Sequence, residues 1–262
     1  MIMKLSDYVA QKVVELGVQH IFMVTGGGAM HLNHSFGSHS DLECIFNHHE
    51  QACAMAAEAY YRHSNNLAVV NVTTGPGSTN AITGLHGAWT DSIGMVVISG
   101  QVKYETTVRS TGLALRQYGD QEIDITAIVK PITKYCEMVT DAMTIRYHLE
   151  KAFHLAVDGR AGPVWLDIPI DIQGAKIEVD DLKGFDPLST ESVAQSESLV
   201  EKASLILKKI QDAERPVIFA GGGVRLSGQH KGFIQLADRL GIPVVTGWNA
   251  HDAMHDSHSC YV

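Results

Sequence analysis

The sequence predicts an α/β fold: a doubly wound, mostly parallel sheet with helices on both faces, followed by a truncated second Rossmann-like α/β unit. Three observations predict it. Helical and strand patterns alternate along the chain, most strands are apolar throughout, and glycine clusters follow several strands. A strand that is apolar on both faces belongs to a sheet covered on both sides, as parallel sheets are. Glycine loops after strands mark the carboxyl edge, where open α/β sheets bind ligands.

Each element follows from local pattern. MIMKLSDYVAQKVVELG reads as an amphipathic helix over about residues 5–16, with Ser6 as its cap. The strand VQHIFMV comes next, then Thr25-Gly26-Gly27-Gly28 and a helix. The strand LECIFN leads into a helix starting near His49 and rich in alanine, the best helix former. LAVVNVT, the loop TGPGSTN and a helix through residues 85–89 precede the strand MVVISG. A helix over about 144–158 and the strand PVWLDIP complete the first domain, residues 1–172. Residues 173–198 hold charged residues, Gly184, Pro187 and then Ser and Thr, and read as a linker. Residues 199–262 begin a second βα pattern: SLVEKASLILKKIQDA, RPVIFAGGG, KGFIQLADRLG and IPVVTGW. Two strands with their helices are too few for an independent α/β domain, so the chain is expected to be a fragment.

Composition excludes several classes. The 262 residues are 45% hydrophobic and 19% charged, which suits a globular core. A formal charge of −9 argues against a nucleic-acid or anionic-membrane surface, which needs clustered Lys and Arg. No apolar run approaches the roughly 18–20 residues that span a bilayer, and the N-terminus lacks a signal-peptide pattern. Cys44, Cys53, Cys136 and Cys260 form no CxxC pair and read as reduced thiols of a cytoplasmic protein. Fourteen histidines form no HExxH or HxxxH pair on an evident helix face, so no metal site is assigned within this chain.

None of the glycine loops fits GxGxxG or a Walker A loop: the third positions are His31, Asn80 and Leu226. Gly75-Pro76-Gly77 is the most specific of them, because it sets a fixed φ between two permissive neighbours. Glu50 stands out for another reason. It follows an apolar strand and opens an alanine-rich helix, a dry setting for a carboxylate. Taken by itself, it is a first-turn glutamate favoured by the helix dipole.

Several stretches occur together and in order: Gly26-Gly27, His49-Glu50-Gln51, Thr73 to Asn80, Asp91-Ser92-Ile93, Ser99-Gly100-Gln101, Gln121-Glu122-Ile123-Asp124, Lys130-Pro131-Ile132-Thr133-Lys134, Gly162-Pro163-Val164 with Asp167-Ile168-Pro169, Arg215-Pro216-Val217 with residues 221–223, and Gly241-Ile242-Pro243-Val244. With these the chain resembles the thiamine-diphosphate-dependent enzymes of the acetolactate synthase type, over nearly its whole length. The resemblance implies that residues 1–172 are the pyrimidine-binding domain, in the thiamine-diphosphate-binding fold. Residues 199–262 are then the start of the central domain, and the C-terminal domain that binds the diphosphate and Mg²⁺ is absent.

In that family the glutamate corresponding to Glu50 hydrogen-bonds N1′ of the cofactor's aminopyrimidine. A dry setting favours sharing of a proton there. The implied catalytic residues are Glu50 and Gln121, the latter on the substrate side. The implied cofactor-binding residues are Thr25, Gly26, Gly27, Glu50, Thr74, Gly75 and Asn80, and no residue of this chain is a metal ligand. Ala54 and Ala57 share the Glu50 face and let another helix approach, in the family near a subunit interface.

The chain departs from the family pattern at Thr25 and Gly94, which replace prolines, at Asp120, which replaces an aromatic residue, and at His48, where arginine is common. Asp120 is a poor neighbour for an anionic substrate, which puts pyruvate-plus-pyruvate chemistry in doubt. The resemblance implies decarboxylation of a 2-oxo acid and transfer of the remaining unit to an acceptor carbonyl. It also implies thiamine diphosphate and Mg²⁺ as cofactors and a homodimer or tetramer sharing the cofactor site, and it leaves FAD open. A simple 2-oxo acid decarboxylase is the nearest rival; its loop histidine pair is missing from residues 104–120. Two non-enzymatic roles compete with both: a nucleotide- or flavin-binding module, and a silent assembly subunit.

Overall fold

The computed structural model describes residues 1–189 and 198–262, in two compact units, Met1–Ser189 and the described part of Thr190–Val262. The first unit opens with β1 (Ile2–Lys4), α1 (Leu5–Glu15), β2 (His20–Met23), α2 (Met30–Ser38) and β3 (Glu43–Phe46). It continues through α3 (Glu50–Ser64), β4 (Val69–Val72), α4 (Pro76–Asn80), α5 (Ile82–Asp91), β5 (Met95–Gln101) and α6 (Val108–Thr111). It ends with α7 (Ile125–Val129), β6 (Tyr135–Met138), α8 (Ile145–Val157), β7 (Pro163–Pro169), α9 (Ile170–Gly174) and β8 (Lys176–Glu178).

Six strands form one parallel sheet in the order β3-β2-β4-β5-β7-β6. The central strands β4, β5 and β7 are buried along their whole length, which is why they read as unbroken apolar runs. Helices α1, α2 and α8 pack together, and α3 packs on α5. With right-handed crossovers these two groups cover opposite faces. The chain runs from β2 outward to β3, then returns to β4 on the other side of β2. That reversal places the ligand crevice at the carboxyl ends of β2 and β4, where residues 24–28 and 73–77 lie.

Three local features differ from the sequence expectations. Ser6 does not cap α1: the helix begins at Leu5, and Ser6 is fully buried in its first turn, hydrogen-bonded to Ser35 at 2.9 Å. The edge strand β6 carries half-buried residues and a glutamate, so no apolar run announces it. The third difference lies in the expected linker, whose first part is built into the fold. Gln173 is fully buried and donates to the carbonyls of Gly28 and Ile168, both at 2.7 Å. Beyond it β8 pairs antiparallel with β1, Met3 opposite Ile177, and Ile177 and Leu182 join the core. Residues 190–197 of that expected linker lie outside the described residues.

The second unit holds α10 (Leu199–Asp212), β9 (Ile218–Ala220), α11 (Gly223–Leu226), α12 (His230–Leu240) and β10 (Val244–Thr246), with β9 and β10 parallel. Its core is small: Ala220, Ala237, Val244, Met254 and Cys260. All four cysteines of the chain are free thiols. Among the described residues no helix is long and apolar enough to cross a membrane.

Candidate active site

Helix α3 begins where the sequence places it. His49 is its N-cap, in extended conformation, and its Nδ1 accepts the backbone N–H of Gln51 at 3.1 Å. Glu50 is therefore the first residue of the helix, at the same sheet edge as the glycine loops, and it is only 9% exposed. Its Oε2 accepts Asn80 Nδ2 at 2.9 Å. Its Oε1 has no hydrogen-bond partner among the described residues, and a Cβ on Gly77 would sit 3.4 Å from it. A free oxygen on a largely buried carboxylate, beside a side-chain-free wall, suits the ring nitrogen of a flat heterocycle. The residues present thus fit the pyrimidine of thiamine diphosphate.

Thr73 is the hub of the crevice, although the sequence assigns it no role. Its Oγ1 accepts the backbone N–H of Gly28 at 3.0 Å, which joins the loops after β2 and β4. A side chain on Gly26 would overlap that of Thr73, and one on Gly77 would come within 2.6 Å of it. Both glycines are required for backbone approach. Gly75 is required for its conformation as well: its φ is +58°, and a Cβ there would overlap the carbonyl of Gln121. Gln121 itself has φ +57°, so two left-handed residues meet back to back.

The loop carrying Gln121 is built around Glu122. That carboxylate accepts the backbone N–H groups of Gly119 at 2.7 Å, Tyr118 at 3.3 Å and Val108. Residues 26–28, Thr74, Gln101, Asp120 and Gln121 line a cleft of about 780 Å³. A second cleft of about 650 Å³ lies between Gly75, Pro76, Thr79, Arg109, Arg116 and Gln121. The structure therefore brings Gly26, Gly27, Thr74 and Gln121 to the first cleft and Gly75 and Gln121 to the second; Glu50 and its partner Asn80 line neither, and Glu50 approaches the loop after β4 at Gly77. Thr25 is exposed and lines neither cleft. Asp120 is also exposed, on the cleft wall.

A buried polar network lies beneath. Asp167 is fully buried on β7; its Oδ1 accepts Ser99 Oγ at 2.6 Å and its Oδ2 accepts Gln101 Nε2 at 3.1 Å. Burial pushes the Asp167 carboxyl up to about 7, against the pull of these hydrogen bonds. The sequence stretch Ser99-Gly100-Gln101 marks this network, but its partners become visible only when β5 lies beside β7.

Comparison with known proteins decides the family. Residues 3–128 match the family described as thiamine pyrophosphate enzyme, N-terminal TPP binding domain, and residues 203–262 match thiamine pyrophosphate enzyme, central domain. The chain belongs to the thiamine pyrophosphate enzyme family. Similar members include the acetolactate synthase large subunits of Corynebacterium glutamicum, 35% identical over 97% of this chain and 39% of that protein, and of Haemophilus influenzae, 34% identical over 92% and 41%. The isozyme 3 large subunit of Escherichia coli is 31% identical over 95% of this chain and 43% of its own length. The chain thus spans about two-fifths of the curated family members it matches. Its first match, residues 3–128, spans the crevice residues from Gly26 to Gln121.

Proposed function

We propose that this chain supplies the pyrimidine-binding side of an enzyme that decarboxylates a 2-oxo acid and passes the remaining unit to an acceptor carbonyl. The observation that carries the reading is the buried Glu50 carboxyl, held by Asn80 and left with one free oxygen at a glycine-lined crevice. Thiamine diphosphate, when bound, supplies the electron sink that lets a 2-oxo acid lose carbon dioxide and react as a nucleophile. Glu50 holds a proton at the pyrimidine nitrogen, and Asn80 fixes the carboxyl's direction. Gly26, Gly75 and Gly77 let the loops close on Thr73 and Gln121 where side chains would clash, Gly77 keeps the wall beside Glu50 free of a side chain for the ring that would bind there, and Thr74 buttresses the loop. Gln121 faces the substrate. In this reading residues 1–172 form the pyrimidine domain, Mg²⁺ and the diphosphate are held by residues outside this chain, and the site is shared between subunits of a cytoplasmic homodimer or tetramer. The absorbance spectrum of the purified full-length protein answers whether FAD sits on the central domain.

The test uses the full-length protein with thiamine diphosphate and Mg²⁺. Carbon dioxide release from pyruvate should fall about 10²–10⁴-fold in Glu50→Gln, the usual range for losing a positioned proton-transfer group. Equal rates in both proteins would remove Glu50 from the mechanism. No thiamine-dependent release by wild type from pyruvate or other 2-oxo acids would remove the enzyme reading itself.

A further inference from the structure

Gln101 ends β5, is 1% exposed, and uses every hydrogen-bonding position of its side-chain amide. Its Oε1 accepts Thr74 Oγ1 and the backbone N–H of Val102 at 3.1 Å. Its Nε2 donates to the carbonyl of Ile123 at 2.9 Å and to Asp167 Oδ2 at 3.1 Å. One amide thus ties together three segments: the loop that carries Gly75, the segment that carries Gln121, and strand β7. The partners permit one orientation, with the oxygen toward two donors and the nitrogen toward two acceptors. Asp167 helps to fix that orientation. It lies opposite Ser99 in the sheet, and Ser99 is backed in turn by Trp165 Nε1 at 2.8 Å. Gly100, between the two polar residues, faces the loop after β2; a side chain there would overlap the Gly28 carbonyl. Ser99-Gly100-Gln101 therefore serves the crevice at each position, while the proposed chemistry uses none of the three directly.

We infer that Gln101, oriented by Asp167, is a positioning residue that sets the Gln121 loop against the Gly75 loop and so shapes the substrate side of the site. The inference rests on the proposed function for its substrate readout, and on geometry alone for its loop readout. A network that only stabilised the sheet would lower the melting temperature and leave the loop's dependence on Gln101 undetectable in the folded enzyme.

The experiment compares wild type, Gln101→Met, Gln121→Ala and the double variant of the full-length protein, with Mg²⁺ present. KM and kcat are read with pyruvate, thiamine diphosphate affinity by calorimetry, and amide exchange over residues 118–124 by mass spectrometry. Gln101→Met should raise the pyruvate KM about tenfold and leave cofactor affinity within about twofold. The double variant should be no worse than Gln121→Ala, because two residues acting as one unit do not add. Exchange over 118–124 should quicken in Gln101→Met. If that variant does not fold, Thr74→Val opens the other end of the same clamp and should quicken the same exchange, with Thr74→Ser restoring it. Additive losses in the double variant, or unchanged exchange over 118–124 in a folded clamp variant, would overturn the inference. Should wild type not turn over pyruvate, KM and kcat are read with the 2-oxo acid it does accept; should it accept none, the functional reading fails by that result and the clamp is judged by the exchange rates.

Discussion

Gly75 carries two constraints at one atom. Its φ of +58° disfavours any side chain, and the Gln121 carbonyl occupies the place a Cβ would take. Gly75→Ala should therefore destabilise the first unit by about 1–3 kcal/mol, the range for strained backbone positions, and should weaken thiamine diphosphate binding as well. Thermal unfolding and calorimetry on the full-length protein measure the two effects; an unchanged midpoint would mean that the two loops part freely. Asn80 offers a gentler probe. Asn80→Ala removes the only side-chain donor to Glu50 among the described residues, a hydrogen bond to a charged or proton-sharing group worth about 1.5–3 kcal/mol. Turnover of 2-oxo acid should fall with it, although Glu50 itself is intact. At this scale the sequence named Glu50, Gly75, Asn80 and Gln121 for one site; in the structure Gly75 meets Gln121 and Glu50 meets Asn80, while Thr73, quoted only as part of a longer stretch, was given no role. Its importance comes from three glycines crowding one side chain, which no spacing reveals.

Helices α3 and α5 meet at Ala54 and Gly84. A Cβ on Gly84 would lie 2.6 Å from that of Ala54, so the alanine face of α3 admits a helix of the same chain. Ala54→Leu should overpack this contact and lower stability by about 1–3 kcal/mol. It should also tilt Glu50, one turn away, and reduce turnover in the fraction that remains folded. Strand β7 supplies a second test at the element scale. Burial raises the Asp167 carboxyl from its ordinary 3.8 to about 7; Asp124 adds to the rise and Arg109 opposes it. The folded state then holds a proton that the unfolded state has released between about pH 4 and 7. Stability should accordingly fall as pH rises through that window and level off above it. Asp167→Asn should flatten this dependence in unfolding curves recorded from pH 4 to 8. A wild-type slope that survives the substitution would assign the effect elsewhere.

The two units differ in how well they cover themselves. The first buries Trp165, Phe36 and a broad aliphatic core. The second leaves Leu199, Val200, Leu205, Ile206 and Leu207 of α10 exposed, with Phe219 at 74% and Trp248 fully open to solvent. Such a surface suits a unit that packs against more protein. The family members that this chain matches are about two and a half times as long. We expect the 262-residue chain to bind a hydrophobic dye strongly and thiamine diphosphate weakly. The full-length protein should reverse both and sediment as a dimer or larger. Strong cofactor binding by the short chain would place the whole site within it, contrary to the proposal.

The sequence by itself determined the class of fold and the order of the main strands along the chain. Buried parallel strands must be apolar on both faces, so PVWLDIP could be read to its observed bounds, Pro163–Pro169. It also determined the edge at which chemistry gathers, because glycines and Glu50 follow strands that all end on one side. Other features arose only from tertiary structure. The short strands β1 and β8 pair across almost the entire first unit, and Gln173 folds back beneath Gly28. The Thr74–Gln101–Asp167 chain joins residues from three strands or their loops. A side chain's partners across a sheet are set by strand order and register, and a linear sequence carries those only implicitly. The residues that crowd a crevice can therefore be named in advance, but which of them hold the others in place is decided when the strands lie side by side.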